Sequence, residues 1–214
     1  MPHEGNIEIA ELLKNIDLYV LDQVLKGRVL RSTKILDAGC GSGRNCHFFI
    51  NNDYDVTSFD PDVEAISKLQ ARYQGSGANF HVSDIASFDT QKEFDFVICN
   101  AVLHFAESHV HFRNLMDKLS SFLSPQGILF IRMTSEFAAP EPYVVNELGR
   151  SELPDGTERY LLNRNELTAA MSRNNLYLME PLKTVNVSNE RSMSTLVLTK
   201  DEQVKLDLGW LAPE

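Results

Sequence analysis

The sequence predicts an α/β fold in which helices cover both faces of a doubly wound, seven-stranded, mostly parallel sheet with an antiparallel edge strand. Three observations predict it. Short apolar runs alternate with helical segments through about the first 135 residues, a glycine-rich turn follows the first run, and two apolar runs near the end flank a tight polar turn. Strands that alternate with helices form parallel sheets. In such sheets the ligand lies beyond the carboxyl ends of the strands.

The first predicted element is an amphipathic helix. Apolar residues recur at helical spacing from Ile7 to Leu25, and Gly27 follows them. We therefore expect residues 1–30 to form a helical cover over the core. Five parallel strands are predicted after it, at residues 34–37, 55–59, 80–82, 94–99 and 128–133. Helical spacing is present at residues 63–73 and 110–123, and the sequence of residues 124–127 predicts a turn.

The alternation stops after Thr134. Residues 135–160 contain three prolines and two glycines and have mixed polarity. Because long stretches of this kind are usually functional, we expect residues 135–165 to form a lid or acceptor-binding excursion.

Three elements are predicted in the last third of the chain. Asn163 and Glu166 have the spacing of a capping box, which predicts a helix that runs to Arg173. Apolar residues predict strands at 177–187, where Pro181 interrupts the run, and at 193–199. The polar turn between these strands favours an antiparallel pair at the sheet edge.

Composition and charge restrict the class of protein. The 214 residues are 43% apolar and 23% charged, which fits one domain over residues 1–214. The net charge of -10 argues against a nucleic-acid partner. No apolar run approaches the ~20 residues of a membrane span, and the start lacks a secretory signal. We therefore expect a cytoplasmic protein without a membrane partner; the oligomeric state stays open.

Cysteine and histidine spacing argues against a metal site. The three cysteines, at positions 40, 46 and 99, contain no CxxC pair and fit a reducing compartment. His109 and His111 are two residues apart, so they cannot share one face of a helix. We therefore predict that no metal is bound.

The glycine-rich turn from Asp37 to Asn45 is the most informative stretch. Glycines at 39, 41 and 43 let the backbone approach a ligand closely. The GxGxG spacing is not the GxGxxG of dinucleotide binding, and no GK[ST] follows, so the turn is not a P-loop. The carboxylate of Asp37 would repel a phosphate and attract an ammonium or sulfonium group.

Two further carboxylates follow predicted strands. Asp60 can accept both hydroxyls of a ribose, or it can cap the helix that begins near Pro61; the glycine turn upstream favours the ribose. Asp84 can accept from an adenine amino group while Ile85 packs on the ring. It can equally be a solvated loop residue or a cap for residues 85–88.

In order and spacing, five parts of this chain resemble a class I methyltransferase that uses S-adenosylmethionine. They are residues 35–43, Asp60, Asp84-Ile85, residues 94–100 and residues 123–127. Such proteins have a Rossmann-like fold. The resemblance covers roughly residues 30–135. The segment from Gly43 to Asn45 and its spacing to residues 54–56 are similar to the tellurite-resistance type.

The resemblance implies roles for the matching positions, with S-adenosylhomocysteine as the product. The turn would hold the methionine part, Asp60 the ribose, and Asp84 with Ile85 the adenine. Asn100 would line the methionine end and face the acceptor. The cofactor-binding residues expected on this basis are Asp37, Gly39, Cys40, Gly41, Gly43, Asn45, Asp60, Pro61, Asp84, Ile85 and Asn100.

The acceptor side is less constrained. His104 follows the fourth strand and can act as a general base, or it can brace the loop. Phe105 can form a pocket wall or belong to the core. Tyr143, Arg150 and Tyr160 would suit a small, anionic acceptor, although each aromatic residue could also close a small core.

We therefore predict a methyltransferase that acts on a small molecule. A methyltransferase for RNA or protein, and a cofactor-binding protein without catalysis, are the alternatives; a nicotinamide dehydrogenase is more distant. Fold alone does not distinguish among them.

Overall fold

The structure is a computed structural model that describes residues 11–139 and 141–204. These residues belong to two units, one within residues 1–98 and the other within residues 99–214. The helices of the first unit are α1 (Leu18–Leu25), α2 (Cys46–Ile50) and α3 (Val63–Arg72). Its strands are β1 (Lys34–Ala38), β2 (Asp55–Asp60), β3 (Asn79–Val82) and β4 (Phe94–Asn100), the last two residues of which belong to the second unit.

The second unit continues with a 3-10 helix at Leu103–Phe105. Its α-helices are α4 (His109–Ser121) and α5 (Arg164–Asn174). Its strands are β5 (Leu123–Thr134), β6 (Arg150–Glu152), β7 (Glu158–Tyr160), β8 (Tyr177–Leu178), β9 (Lys183–Val187) and β10 (Arg191–Thr199). A second 3-10 helix, Glu202–Val204, ends the described residues.

The first unit contains a parallel sheet in the order β3-β2-β1-β4. Ile35 of β1 pairs with Val56 of β2 on one side and with Phe96 of β4 on the other. All three side chains are buried, as expected for parallel strands that are covered on both faces. The four predicted strands of this half are confirmed, as is the helix after the second.

The second unit is built around β10, which pairs antiparallel with β5, β8 and β9. Pro181 separates β8 from β9, as its position predicts. Ser188 and Asn189 have φ of 54° and 56°, which places both in the left-handed region and closes the β9–β10 hairpin. The α/β class with mostly parallel and some antiparallel strands is confirmed.

The expected N-terminal helix is interrupted. Lys14 has φ 45°, and α1 begins only at Leu18. Asp17 is the N-cap of α1, and its side chain accepts from the Tyr19 amide at 2.9 Å. A strong cap in the middle of an apolar pattern starts a new helix there. Residues 7–10 of the predicted helix lie outside the described residues.

One prediction about the centre of the chain is wrong. The turn expected at residues 124–127 lies within β5, which is continuous from Leu123 to Thr134. The excursion at 135–165 contains the β6–β7 hairpin, in which Arg150 pairs with Tyr160. Asp155 closes this hairpin by accepting from the Thr157 amide at 3.0 Å.

The helix predicted after Asn163 is confirmed, but only half of the capping box forms. The Asn163 side chain accepts from the Glu166 amide at 2.9 Å. The Glu166 carboxylate instead binds Arg113, at 2.6 and 2.8 Å. Within the described residues, no helix has the length and apolar character that crossing a bilayer requires.

Candidate functional site

The glycine-rich turn is held against the end of β2 by backbone hydrogen bonds. The amides of Gly39 and Cys40 both donate to the Phe59 carbonyl, at 2.9 and 3.0 Å. A Cβ atom on Gly43 would lie 2.6 Å from the Leu69 side chain, so this glycine lets α3 pack closely. Gly41 has φ 52°, and a Cβ atom there would meet no described atom within 4 Å. The turn therefore presents open backbone at Gly41, where a ligand can approach.

Asp60 connects the end of β2 to the turn. Its Oδ2 accepts from the Gly41 amide at 2.8 Å, and its Oδ1 accepts from the Asp62 amide at 2.9 Å. The N-cap of α3 is Asp62, whose Oδ1 accepts from the amides of Glu64 and Ala65. The alternative in which Asp60 caps this helix is therefore wrong. Pro61, between the two carboxylates, is exposed.

Asp37 lies near the end of β1 and is only 2% exposed. The Cys46 amide donates to its carboxyl group, whereas its Oδ2 has no hydrogen-bond partner among the described residues. Burial raises the pKa of Asp37 to about 7, and the charge of Asp60 acts in the same direction, while the Cys46 amide and Arg44 oppose them. Because a buried polar atom without a partner is costly, this oxygen indicates a ligand-binding position.

Asn45 and Arg44 hold the start of α1 rather than open space. Asn45 Oδ1 accepts from the Asp17 amide at 3.0 Å, and Arg44 forms an ion pair with the Asp17 carboxylate. Asp17 and Asn45 are both buried. The end of the glycine turn is thus fastened to the N-terminal helix, which stiffens the turn before any ligand binds.

Asp84 and Ile85 follow β3. The Asp84 carboxylate accepts from the Ser87 amide at 2.7 Å, and the Ile85 side chain is buried. This hydrogen bond gives Asp84 the turn-capping role that the sequence left open. Contact with an adenine ring stays a prediction for both residues.

Two side chains, one at the end of β4 and one shortly after it, have buried polar atoms without a hydrogen-bond partner among the described residues. Both side-chain polar atoms of Asn100 and the Nδ1 atom of His104 are buried and make no hydrogen bond to described residues. Burial lowers the pKa of His104 from its ordinary value of 6.5 to about 4, and the charges of Arg159 and Arg191 act in the same direction. His104 is therefore neutral at physiological pH and a weak base.

Phe105 is the exposed neighbour of His104. Its side chain is 57% exposed, and the two ring centroids lie 4.6 Å apart in an edge-to-face arrangement. The Arg159 guanidinium carbon lies 4.8 Å from the centroid of the Phe105 ring. Phe105 is therefore not a core residue, and its role as a pocket wall stays a prediction.

The structure does not gather Tyr143, Arg150 and Tyr160 into one pocket. Tyr160 is fully buried, and its hydroxyl lies 3.0 Å from Nδ1 of His109. Arg150 donates to the Ala106 carbonyl at 2.6 Å and to Glu158 at 2.9 Å. Tyr143 accepts from the Ser192 amide at 2.9 Å. Tyr143 also lines a cavity of about 760 Å³ with Glu141, Pro142, Val144, Glu152, Leu153, Pro154, Gly156 and Asn189.

Sequence reasoning missed Asp62 and Arg159. The helix cap was considered only at Asp60, two residues before the observed cap at Asp62, because both carboxylates precede the helical pattern. Arg159 was missed because residues 135–165 were interpreted without strands. The Asp155-Gly156 pair between two short runs is a hairpin signal that could have placed it.

The described residues provide no group of three metal-ligating side chains. All three cysteines are buried, and none forms a disulfide within the described residues. Burial raises the pKa of the Cys40 and Cys46 thiols well above the ordinary range, which disfavours thiolate chemistry at the turn.

Comparison with known proteins gives a family match over most of the chain. The family model described as "Methyltransferase domain" matches residues 10–180. The probable S-adenosyl-L-methionine-dependent methyltransferase TehB of Haemophilus influenzae is 31% identical over 86 residues, 39% of this chain. The trans-aconitate 2-methyltransferase of Rhizobium rhizogenes is 24% identical over 142 residues, 65% of this chain. The matches cover 30% and 54% of these relatives.

Solved structures share the fold. The magnesium protoporphyrin IX methyltransferase of Synechocystis PCC 6803 with bound SAM has a TM-score of 0.65 at 16% identity, over 91% of this chain and 82% of its own. TehB of Haemophilus influenzae has a TM-score of 0.61 at 19% identity, over 84% of this chain and 62% of its own.

Proposed function

This chain belongs to the methyltransferase domain family, and from that membership we propose that it transfers a methyl group from S-adenosylmethionine to a small molecule. The observation that carries this proposal is the buried Asp37 carboxyl group, whose Oδ2 has no partner among the described residues, beside a glycine turn without a lysine. Such a site favours a cationic ligand over a phosphate.

The residues of the first unit fit the parts of this cofactor. Asp37 has the charge, and an oxygen without a partner among the described residues, to hold the methionine ammonium group, and Gly41 leaves open space in the turn that follows β1. Asp60 accepts one backbone hydrogen bond on each oxygen, and each oxygen retains a lone pair for a ribose hydroxyl. When bound, the cofactor supplies an electrophilic methyl group on a sulfonium.

In the second unit we assign Asn100 and His104 to the reacting end. Asn100 ends β4 and His104 follows it, and in a doubly wound sheet ligands bind beyond the carboxyl ends of the strands. Their unpartnered polar atoms can bind and orient an acceptor. Much of the acceleration of a displacement of this kind comes from such positioning.

A small acceptor is supported by two observations. The net charge of -10 disfavours a nucleic acid. One relative carries a name that specifies a small acid, trans-aconitate. We further propose a single domain located in the cytoplasm.

Calorimetric titration tests the cofactor assignment. We expect S-adenosylmethionine and S-adenosylhomocysteine to bind with micromolar affinity and NAD not to bind. Because Asp37 must ionise to attract an ammonium group, affinity should rise about tenfold between about pH 6 and pH 7.5. The Asp37→Asn variant should lose this pH dependence.

The same titration can overturn the proposal. Absence of binding by both sulfur compounds would contradict it. Tight binding without methyl transfer to any acceptor class would favour the non-catalytic alternative.

A further inference from the structure

Arg159 lies on β7 with its guanidinium over an exposed aromatic ring. Its Cζ is 4.8 Å from the Phe105 ring centroid, and its Nη1 donates to the Glu158 carbonyl at 2.9 Å. The side chain is half-buried. Stacking uses the flat face of a guanidinium and leaves donors along its edge for a planar anion.

The charge of Arg159 is not balanced by a carboxylate of the described residues, whereas the charges of two nearby arginines are. Arg150 pairs with Glu158 at 2.9 Å, and Arg191 pairs with Asp155 at 2.5 Å. No described carboxylate lies within ion-pair distance of the Arg159 guanidinium. Arg159 is therefore available to an anion from solution.

Arg159 also acts on the residue that we place at the reacting end. Its charge is one cause of the lowered pKa of His104, and both side chains contact Phe105. His104 is 8% exposed, and its Nδ1 is buried without a partner among the described residues. The Arg159 guanidinium, the Phe105 ring and the His104 imidazole therefore form one cluster in the second unit.

Resting on the proposed function, we infer that the methyl acceptor is a small carboxylic acid, that Arg159 binds its carboxylate, and that the product is a methyl ester. One carboxylate oxygen forms the new bond to the methyl carbon. The bond between that carbon and the sulfonium sulfur breaks, and its electron pair stays on sulfur. No proton is transferred, so the reaction needs no general base and tolerates a neutral, weakly basic His104.

Labelled methyl transfer tests the inference. The probes are trans-aconitate and benzoate, with benzamide, benzyl alcohol and benzylamine as matched compounds that lack a carboxylate. Methyl esters release methanol in alkali, whereas ethers and methylamines do not. We expect alkali-labile product from the acids alone.

Three variants connect this activity to Arg159. Arg159→Gln should raise the KM for the acid about 10- to 100-fold, because a charge-assisted hydrogen bond is lost. Its affinity for S-adenosylmethionine should not change. Arg159→Lys, which keeps the charge but not the planar fork, should recover part of the loss. The control is Arg173→Gln, which removes an exposed ion pair with Asp117 on α4.

The outcomes separate this inference from the proposed function. If the wild-type chain binds the cofactor, three results would overturn the carboxylate acceptor alone. They are alkali-stable products, no transfer to either acid, and an unchanged KM in Arg159→Gln. Failure of the wild-type chain to bind either sulfur compound overturns the proposed function, and the inference with it.

Discussion

The Gly41 amide donates a 2.8 Å hydrogen bond to the Asp60 carboxylate. This bond joins the glycine turn after β1 to the end of β2, its neighbour in the parallel sheet. The carboxyl ends of parallel neighbours meet at one edge, so residues distant in sequence come together there. The turn is therefore shaped for a ligand before the ligand binds.

Asp60→Ala should weaken binding of S-adenosylmethionine about 10- to 100-fold, because hydrogen bonds to a carboxylate are lost. The matched control is Asp62→Ala, which removes the cap of α3. That variant should lower the free energy of unfolding by about 1 kcal/mol and leave affinity unchanged. Calorimetry and urea unfolding of both variants measure the two effects. Equal affinities in Asp60→Ala and wild type would contradict the ribose assignment.

Gly41→Val should abolish cofactor binding without unfolding the domain. Gly77→Val is its control, since both glycines have positive φ and a Cβ atom at either would meet no described atom within 4 Å. Backbone strain should cost both variants about 1–2 kcal/mol. Thermal unfolding should therefore show similar losses, whereas titration should separate the two. Normal binding by Gly41→Val would show that no ligand approaches the turn there.

Asp37→Asn should stabilise the protein without cofactor at pH 8. The folded pKa of Asp37 is raised from 3.8 to about 7, so its contribution to stability is full below pH 3.8 and is lost as pH rises through 7. The loss is on the order of a few kcal/mol. The melting temperature of the variant should therefore exceed that of wild type at pH 8, and the difference should shrink towards pH 5. A variant less stable than wild type at both values would contradict the assigned pKa.

His104→Gln should retain methyl transfer to within about tenfold, because a carboxylate acceptor needs no base and a catalytic base would contribute about 10²–10⁴-fold. Because the folded pKa of His104 is lowered, its contribution to the free energy of unfolding is full above pH 6.5. That contribution is lost as pH falls through about 4. With saturating cofactor, the rate of the wild type should be level from about pH 5.5 to 8. A loss of 10²-fold or more in the variant would restore the base role predicted from sequence.

Patterns of neighbouring residues predicted the strands and turns that form from short stretches of sequence. The apolar run from Ile35 to Leu36 and the glycines after it are enough to place a buried strand and a ligand-binding turn. The same reasoning failed where two neighbours compete for one role, as Asp60 and Asp62 do. It also failed for β6 and β7, whose three-residue strands are too short to show a period.

Sequence patterns are enough to predict the fold class, the family and the order of the parallel strands along the chain, because periodicity and turn chemistry are encoded by neighbouring residues. Two properties emerge only from the folded chain: Asp37 is buried with an oxygen that has no partner among the described residues, and the Arg159 guanidinium lies over the Phe105 ring. These properties arise from burial and from contacts between distant residues, which set the desolvation and electrostatic energy of each group.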